Sequence, residues 1–340
     1  MPIVRAVVVS SPGGPDVLRA AQVPDPVPGR GEVLLDVAAA GVNRADLLQR
    51  AGHYPPPPGA PAWPGLEVAG VVVDVGPPAT TGVDAADGPA GPAAPRVGDR
   101  VAALLAGGGY AERVTVNASL TLPVDPLVDL VDAAALPEAL ATVWSNLCAA
   151  RLAPGETLLV HGGSGGVGSV AVQLAHARGH RVVATAGGPD RCARVRELGA
   201  DVVVDHRGQD VAAAVREATG GRGVDVVLDV LGGGALRSNV ELLAEGGRLV
   251  VIGLQQGRRG ELDLPALMAR RGSVIATTLR DRPAAQKAAI MAGVREHVWP
   301  LVRDGRVRPV VHARLPLDEA PQAHRLLASG EVLGKVLLLP

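Results

Sequence analysis

The chain has 340 residues, of which 47% are hydrophobic and 20% charged, and its formal net charge is −1. This length predicts two domains with a large core, and the near-neutral charge argues against nucleic acid or an anionic membrane surface as a partner. No apolar run is long enough to cross a bilayer. The two cysteines provide neither a disulfide framework nor a metal-ligand cluster, so we expect a cytoplasmic protein.

The first 122 residues alternate short apolar runs with clusters of proline and glycine, a pattern that predicts strands joined by turns. Two such runs are 32–37 and 68–73. Residues 77–96 are rich in Pro, Ala, Gly and Thr, so we predict a surface loop there. A strand restarts within 96–101.

From about residue 123 the pattern changes to alternating strands and helices. Strands are predicted at 157–160, 181–185, 202–205, 225–229, 248–252 and 273–277, with helices near 166–178, 189–198, 209–218, 235–244 and 263–270. Six β units joined by helical crossovers predict an α/β fold with a doubly wound parallel sheet of strand order 3-2-1-4-5-6. A helix over 284–303 and strands near 309–315 and 335–339 are expected to return to the N-terminal domain. The predicted domains are therefore 1–122 with 281–340, and 123–280.

A glycine-rich motif follows the first strand of the second domain. Gly163, Gly165 and Gly168 fit G-x-G-x-x-G between a buried strand and an amphipathic helix. In this motif the first glycine permits a tight turn, the second lets a pyrophosphate approach the backbone, and the third lets the helix pack on the strand. Amides at the start of the helix then face the phosphates. The predicted dinucleotide-binding residues of the turn are Gly163, Ser164, Gly165, Gly166, Val167 and Gly168.

Five stretches of the chain resemble one known family. They are GVNRADLLQR (41–50), GHYPPPPG (52–59), PGLEVAG (64–70), HGGSGGVGSVAVQL (161–174) and RRGSVIATTLR (270–280). They resemble the zinc-free NADPH:quinone oxidoreductases of the medium-chain dehydrogenase/reductase superfamily, relatives of zeta-crystallin, and most of all the subgroup of the tumour-suppressor-induced quinone oxidoreductase. The resemblance spans nearly the whole chain. It implies a GroES-like N-terminal domain, a Rossmann domain that binds NADPH, and a homodimer or homotetramer.

The resemblance also bears on metal binding. Zinc alcohol dehydrogenases of this superfamily carry a cysteine where Asn43 stands and a histidine where Leu66 stands, and neither Asn nor Leu is a zinc ligand. Glu67 remains, but one carboxylate cannot hold zinc, and the four-cysteine structural lobe is absent. We therefore expect no metal and no metal polarisation of a reacting oxygen.

The end of the second Rossmann strand indicates which nicotinamide cofactor is used. NAD-selective domains usually place an acid there, whereas this strand ends in Gly187 and Gly188, and Arg191 follows. Arginine can bind a 2′-phosphate through two N–H donors, so NADPH is favoured over NADH. His206 lies where the family stacks an aromatic ring on the adenine or contacts the phosphate. Asp190 departs from the family's basic residue, and it either caps the helix or repels the phosphate.

Five further residues are candidates for contact with the cofactor. Gly253 and Leu254 follow the fifth strand of the sheet, and Thr278 and Leu279 follow the sixth. They are expected to line the nicotinamide site, with ordinary packing as the alternative for both leucines. Lys335 matches a basic position of the family near the C-terminus; it either approaches the cofactor or is a surface lysine.

The candidate reacting groups lie between residues 43 and 54. Asn43, in the position vacated by the zinc ligand, is expected to bind the nicotinamide ribose or the substrate oxygen. Asp46 lies one helical turn away, as a catalytic group or a helix-stabilising carboxylate. Tyr54 precedes a proline run and is expected to donate a proton or to stack on a planar quinone, with a packing role as the alternative. Tyr110 supports the sheet in our interpretation. We expect His161 to be a structural histidine bonded to a nearby backbone group, with a catalytic role as the alternative.

These residues together predict an NADPH-dependent, zinc-free quinone oxidoreductase whose planar acceptor enters a cleft between the domains. A related alternative is an enoyl or 2-alkenal (enone) reductase of the same superfamily, which shares the fold and the cofactor. A different class of alternative is a nucleotide-binding protein without significant turnover. In each case the partner is a small molecule, with neither nucleic acid nor membrane.

Overall fold

The computed structural model describes residues 2–79 and 94–340, and the chain divides into two compact units. Unit 1 comprises Met1–Glu138, Arg280–Trp299 and Pro309–Pro340, and unit 2 comprises Ala139–Leu279 and Pro300–Arg308. The first boundary lies after Glu138, later than the position 122/123 suggested by the sequence. Residues 80–93 of the predicted loop lie outside the described residues.

The elements of the described residues are as follows. The strands are β1 (Ile3–Val9), β2 (Leu18–Pro24), β3 (Glu32–Val42), β4 (Glu67–Val75), β5 (Arg100–Leu104), β6 (Arg113–Asn117), β7 (Thr121–Pro123), β8 (Thr157–Val160), β9 (Arg181–Ala186), β10 (Val202–Asp205), β11 (Val224–Asp229), β12 (Leu243–Val251), β13 (Ser273–Ala276), β14 (Val311–Pro316) and β15 (Lys335–Leu339). The helices are α1 (Arg44–Arg50), α2 (Leu130–Ala133), α3 (Pro137–Ala149), α4 (Gly166–Ala177), α5 (Pro189–Glu197), α6 (Val211–Ala218), α7 (Leu236–Glu241), α8 (Leu264–Ala269), α9 (Ala284–His297), α10 (Trp299–Arg303) and α11 (Ala320–Ala328). None of these helices is long and apolar enough to span a membrane.

Unit 2 contains a six-stranded parallel sheet of order β10-β9-β8-β11-β12-β13. The central strand β8 is buried at every residue, which is typical of a parallel sheet covered on both faces. This order is the predicted 3-2-1-4-5-6, so the expectation of a doubly wound sheet is confirmed. The carboxyl ends of β8, β9 and β12 thus carry the loops expected to hold a dinucleotide.

Unit 1 is built on a mainly antiparallel sheet of order β14-β15-β3-β4-β5-β7, with β6 also paired to β3. The C-terminal strands therefore belong to unit 1. In the register of the central strands, Val336 lies opposite Val42, and Ala40 lies opposite Val68. The next residues along these strands place Lys335, Asn43 and Glu67 side by side at one end of the sheet.

The helix predicted over 284–303 is interrupted. The structure contains α9 and α10 instead, with Val298 between them. Pro300 explains the interruption, because proline lacks an N–H donor and its ring clashes with the carbonyl four residues earlier in a continuous helix.

Candidate functional site

The glycine-rich turn of unit 2 joins β8 to α4. Gly162 has a φ of +68°, so this residue, rather than Gly163, takes the left-handed conformation of the tight turn. A Cβ on Gly168 would overlap the carbonyl oxygen of Gly162, so close packing of the helix on the turn requires glycine there. A Cβ on Gly165 would meet nothing nearer than 3.5 Å. The fold itself thus does not demand glycine at position 165, and the space beside it can admit a ligand.

The start of α4 provides hydrogen-bond donors for an anion. Gly165 is the N-cap, and Ser169 N donates to its carbonyl oxygen at 2.8 Å. The amides of Gly166, Val167 and Gly168 precede this first intrahelical bond and point out of the helix end, where the helix dipole also favours negative charge. Ser164 is buried in the same turn. The arrangement fits a pyrophosphate.

A basic cluster surrounds the end of β9. Asp205 accepts hydrogen bonds from Gly188 N at 2.9 Å and from Arg207 N at 3.0 Å, which ties the loops after β9 and β10 together. A Cβ on Gly187 would lie 2.9 Å from Nε of Arg207 and 3.0 Å from Nε2 of His206, so both basic side chains lie against this glycine. This cluster has the charge needed for a 2′-phosphate.

The two predicted residues that follow this cluster lie in the first turn of α5. The N-cap of that helix is Gly188, which leaves Asp190 within the helix rather than at its cap. Arg191 is half-buried one position later. Of the two roles predicted for Asp190, capping is therefore wrong.

The loops after β12 and β13 carry the residues predicted at the nicotinamide. A Cβ on Gly253 would lie 2.7 Å from the carbonyl oxygen of Val230, so the loop packing itself requires this glycine. Leu254 is 52% exposed, which disagrees with a packing role, whereas Leu279 is 9% exposed, which fits one. Thr278 is exposed.

A buried polar trio in unit 1 lies at the ends of β15, β3 and β4. Lys335 Nζ forms an ion pair with Glu67 Oε1 and donates to Asn43 Oδ1 at 2.6 Å, and Asn43 Nδ2 donates to Glu67 Oε1 at 2.8 Å. Exposed fractions are 5% for Lys335, 9% for Asn43 and 0% for Glu67. A Cβ on Gly41 would overlap the Glu67 side chain, so glycine makes room for it. The interpretation of Lys335 as a surface lysine is therefore wrong.

The trio fixes how the amide of Asn43 is oriented. An ammonium only donates and a carboxylate only accepts, so Oδ1 of Asn43 must face Lys335 and Nδ2 must face Glu67. The second N–H of the amide points towards the carbonyl oxygen of Gly41, at 3.4 Å. In the capping box of α1, the backbone N–H of Asp46 also lies against the Asn43 side chain. The two roles predicted for Asn43, a hydrogen bond to the nicotinamide ribose or to the substrate oxygen, stay predictions.

Asp46 lies in the first turn of α1 and is fully buried. Its Oδ2 accepts from Asn43 N at 2.8 Å, and its Oδ1 accepts from Gly65 N at 3.0 Å. Burial raises the pKa of this carboxyl to about 6, partly offset by these two backbone hydrogen bonds. A group with no exposed surface cannot touch a substrate. Its burial and its capping bond to Asn43 N favour the predicted alternative, a helix-stabilising carboxylate, and the catalytic role of Asp46 stays a prediction.

Tyr54 lies against an arginine that the sequence did not single out. The Arg280 guanidinium lies 5.3 Å from the centroid of the Tyr54 ring. It also donates to the Gln49 side chain and to the Ala106 carbonyl, both at 2.7 Å, and it is 3% exposed. Burial raises the pKa of Tyr54 to about 12, so the half-buried phenol keeps its proton at neutral pH.

Glu138 is a second group that was missed. Its backbone N–H donates to Glu67 Oε2 at 2.9 Å, which places it beside the trio at the start of α3, and its side chain is half-buried. Burial, followed by the charge of Glu67, raises the pKa of the Glu138 carboxyl to about 8. A single acid within the apolar run 135–143 was the signal that could have revealed it.

Two other predicted residues have partners that the sequence did not reveal. His161 bonds to the side chains of Asn239 (2.8 Å) and Thr185 (3.3 Å), whereas a backbone partner was predicted. Burial lowers the pKa of His161, as expected of a structural histidine. Tyr110 does more than support the sheet, because its buried hydroxyl lies 3.2 Å from Asp46 Oδ2 and 3.1 Å from His324 Nε2.

Comparison with known proteins identifies the family. Residues 29–126 match the alcohol dehydrogenase GroES-like domain, and residues 166–292 match the zinc-binding dehydrogenase family.

The chain is 34% identical to the quinone oxidoreductase of Rattus norvegicus, over 99% of this chain and 98% of that one. It is 33% identical, over 97% of its length, to 14% of a phenolphthiocerol/phthiocerol polyketide synthase of Mycobacterium tuberculosis. A mycobacterial protein solved in complex with NADPH has a TM-score of 0.83 and 35% identity, covering 99% of this chain and 100% of that one. The chain belongs to the quinone oxidoreductase family of the medium-chain dehydrogenase/reductase superfamily, as its resemblance predicted.

Proposed function

We propose that the protein is an NADPH-dependent quinone oxidoreductase, which converts a quinone, NADPH and a proton to a hydroquinone and NADP⁺. NADPH when bound supplies the hydride. The observation that carries the proposal is the trio of Lys335, Asn43 and Glu67, with the protonated side chains of Tyr54 and Glu138 in the same unit. It offers hydrogen-bond donors and a proton where zinc dehydrogenases use a metal.

The described residues fit NADPH. In this proposal the amides of α4 bind the pyrophosphate, with Gly165 leaving room for it, and Gly187, Arg191 and His206 surround the 2′-phosphate. Gly253, Leu254, Thr278 and Leu279 line the nicotinamide. Asn43 Oδ1 accepts from the nicotinamide ribose, and Lys335 holds that oxygen in place.

The negative charge that develops on the quinone oxygen needs a proton. Tyr54 can donate a hydrogen bond over the whole neutral range because its pKa is about 12. Glu138 has a pKa of about 8, which suits a group that gives up a proton near neutral pH and recovers it from solvent. We assign the proton donor to Glu138 and the orientation of the planar acceptor to Tyr54, whose ring is held by Arg280.

We further propose that the reaction needs no zinc. The Lys335 ammonium already lies against Glu67, so a metal cation there would have to displace a like charge. Leu66, which is buried and apolar, offers no ligand. Activity should be unchanged after dialysis against a chelator, and a loss that zinc restores would overturn this part of the proposal.

Steady-state kinetics with several acceptors test the function. The panel is 1,4-benzoquinone, 9,10-phenanthrenequinone, a 2-alkenal and an enoyl thioester, each with NADPH and NADH. We expect turnover of the quinones with a preference for NADPH. NADPH binding without oxidation by any acceptor would instead indicate a nucleotide-binding protein without turnover.

A second candidate activity is reduction of a carbon–carbon double bond beside a carbonyl. The similarity to a segment of a polyketide synthase favours it. Turnover of only the alkenal or the thioester in the same panel would establish this activity in place of quinone reduction.

We also propose that the protein is a cytoplasmic homodimer or homotetramer. The supporting feature is β13, an edge strand of the unit 2 sheet with mostly exposed side chains, near α8, where Met268 is 74% and Leu264 57% exposed. Exposed apolar residues beside a free strand edge are typical of an interface between protomers. Light scattering after size-exclusion chromatography should give at least twice the mass of the 34.4 kDa chain, and a monomer would overturn the proposal.

A further inference from the structure

A line of buried polar side chains in unit 1 begins and ends on residues of α1. Arg50 Nη1 lies 3.3 Å from His324 Nδ1, His324 Nε2 lies 3.1 Å from Tyr110 Oη, and Tyr110 Oη lies 3.2 Å from Asp46 Oδ2. Asp46, Tyr110 and His324 have no exposed surface, and Arg50 is 9% exposed. We call these four residues the α1 relay. The function proposed above assigns no role to Arg50, Tyr110 or His324.

The hydrogen bonds of the α1 relay can point in one direction only. A guanidinium has donors and no acceptor, so His324 Nδ1 must accept from Arg50. The proton of a neutral imidazole then lies on Nε2, which donates to the oxygen of Tyr110. The Tyr110 O–H is left to donate to Asp46, and a carboxylate is the partner that can accept it. Because Arg50 can only donate, it sets which atom donates in each of the three hydrogen bonds of the α1 relay.

The charges around His324 agree with a neutral ring. Arg50 faces it from α1, Tyr110 faces it with its phenol, and the carboxylates of Asp46 and Glu67 lie beyond Tyr110. Burial, followed by the charge of Arg50, lowers the pKa of His324 to about 3. The ring therefore remains neutral over the range in which the enzyme can be assayed.

The last residue of the α1 relay is Asp46, whose carboxylate contacts the backbone near the buried trio. Asp46 bonds to the backbone N–H of Asn43 and to that of Gly65, two residues before Glu67. It thereby fixes the backbone at Asn43 and at a position two residues before Glu67. We propose that His324 is a positioning residue which, by forcing the Tyr110 hydroxyl onto Asp46, holds Asn43 and Glu67 in their reactive arrangement. This inference rests on the proposed role of Asn43 in NADPH oxidation.

Two substitutions of His324 distinguish the effect of the hydrogen-bond direction from the effect of side-chain packing. A glutamine at 324 can accept from Arg50 through its oxygen and donate to Tyr110 through its nitrogen, whereas a leucine of similar size can do neither. We expect His324→Leu to lower kcat roughly tenfold with little change in the KM for NADPH, and His324→Gln to restore most of it. His312→Leu, on the exposed face of β14, is the matched control.

A double-mutant cycle tests whether His324 acts through Tyr110. Tyr110→Phe should lower kcat roughly tenfold in the wild type and by less than about twofold in His324→Leu, because the directed hydroxyl is already lost there. Equal losses in both backgrounds would overturn the inference, as would a His324→Gln enzyme no better than His324→Leu.

Nuclear magnetic resonance of the wild-type protein, labelled with ¹⁵N-histidine, measures which nitrogen of His324 carries the proton. This measurement does not depend on enzymatic activity. The chain has eight histidines, and loss of one signal in His324→Gln assigns the ring. We expect a neutral ring with its proton on Nε2, unchanged between pH 8 and pH 5. A proton on Nδ1, or titration near pH 6.5, would overturn the α1 relay even if quinones are reduced. Conversely, a wild-type enzyme that reduces no quinone would refute the proposed function and leave this measurement valid.

Discussion

The candidate sites of the two units differ in the chemical groups that form them. In unit 2 the site consists largely of backbone: a turn of contiguous residues, three helix amides and glycines that leave space. In unit 1 it consists of buried side chains far apart in sequence, with Lys335 bonded to Asn43 and Glu67. A backbone site tolerates many side-chain changes but not the loss of a required glycine, whereas a side-chain site depends on single atoms.

The largest effect should follow from removing the buried ammonium. Lys335→Met leaves the Glu67 carboxylate buried without its counter-charge, so we expect the free energy of unfolding to fall by about 3–5 kcal/mol. Urea denaturation measures it. Adding Glu67→Gln removes the stranded charge and should recover part of the loss. If Lys335→Met costs the same in the Glu67→Gln background as in the wild type, the ion pair is not what Lys335 provides.

The next effect concerns the proton donor. Glu138→Gln should lower kcat roughly 100-fold near pH 7, because the amide cannot release a proton. Wild-type kcat should fall as pH rises through about 8, where Glu138 ionises, and as pH drops below about 6, where Asp46 gains a proton. In Glu138→Gln, kcat should no longer fall as pH rises through about 8, but it should still fall below about pH 6. We call the fall above pH 8 the alkaline limb. Glu319→Gln, at an exposed position, is the control, and an unchanged alkaline limb in Glu138→Gln would exclude Glu138 as the acid.

Unit 2 is tested with glycine substitutions. Gly168→Ala forces a Cβ into the Gly162 carbonyl, so we expect a loss of about 1–3 kcal/mol of stability together with weaker NADPH binding. Gly165→Ala meets no such overlap and should keep its stability while the Kd for NADPH rises roughly tenfold. Gly208→Ala, which meets nothing within 4 Å, is the control. The comparison fails if Gly165→Ala destabilises the fold as much as Gly168→Ala.

A smaller effect is expected at the basic cluster. Arg191→Glu should raise the KM for NADPH roughly tenfold and leave that for NADH nearly unchanged, because only NADPH carries the 2′-phosphate. Arg194→Glu, on the same helix but paired with Glu197 at the surface, is the control. Equal changes in the KM values for NADPH and NADH would show that Arg191 does not recognise the 2′-phosphate.

The smallest effect should come from the Tyr54 hydroxyl. With Glu138 as the acid, Tyr54→Phe keeps the ring on Arg280 and loses one hydrogen bond, so kcat should fall by about threefold to tenfold. Steady-state rates with 1,4-benzoquinone measure it. An unchanged kcat with a raised KM would leave Tyr54 with stacking alone.

The sequence predicted unit 2 in more detail than unit 1. The strand at 157–160 and the helix from 166 follow from local periodicity and a contiguous motif, and both were placed to within a residue or two. The role of Gly162 was missed, because the motif assigns the tight turn to the next glycine. In unit 1 the pattern revealed strands, but nothing near position 335 indicated that its lysine is buried.

The sequence by itself determined the fold class, the strand order of the parallel sheet and the family, since these depend on periodicity and motifs within short stretches. Only the tertiary structure decided that Lys335 is an ion-pair partner, that Asp46 is fully buried, that Glu138 lies beside Glu67 and that His324 lies beside Tyr110. The physical reason is that burial and strand register set the charges and hydrogen bonds of these residues. Neither can be deduced from neighbours in the chain when the partners are tens or hundreds of residues apart.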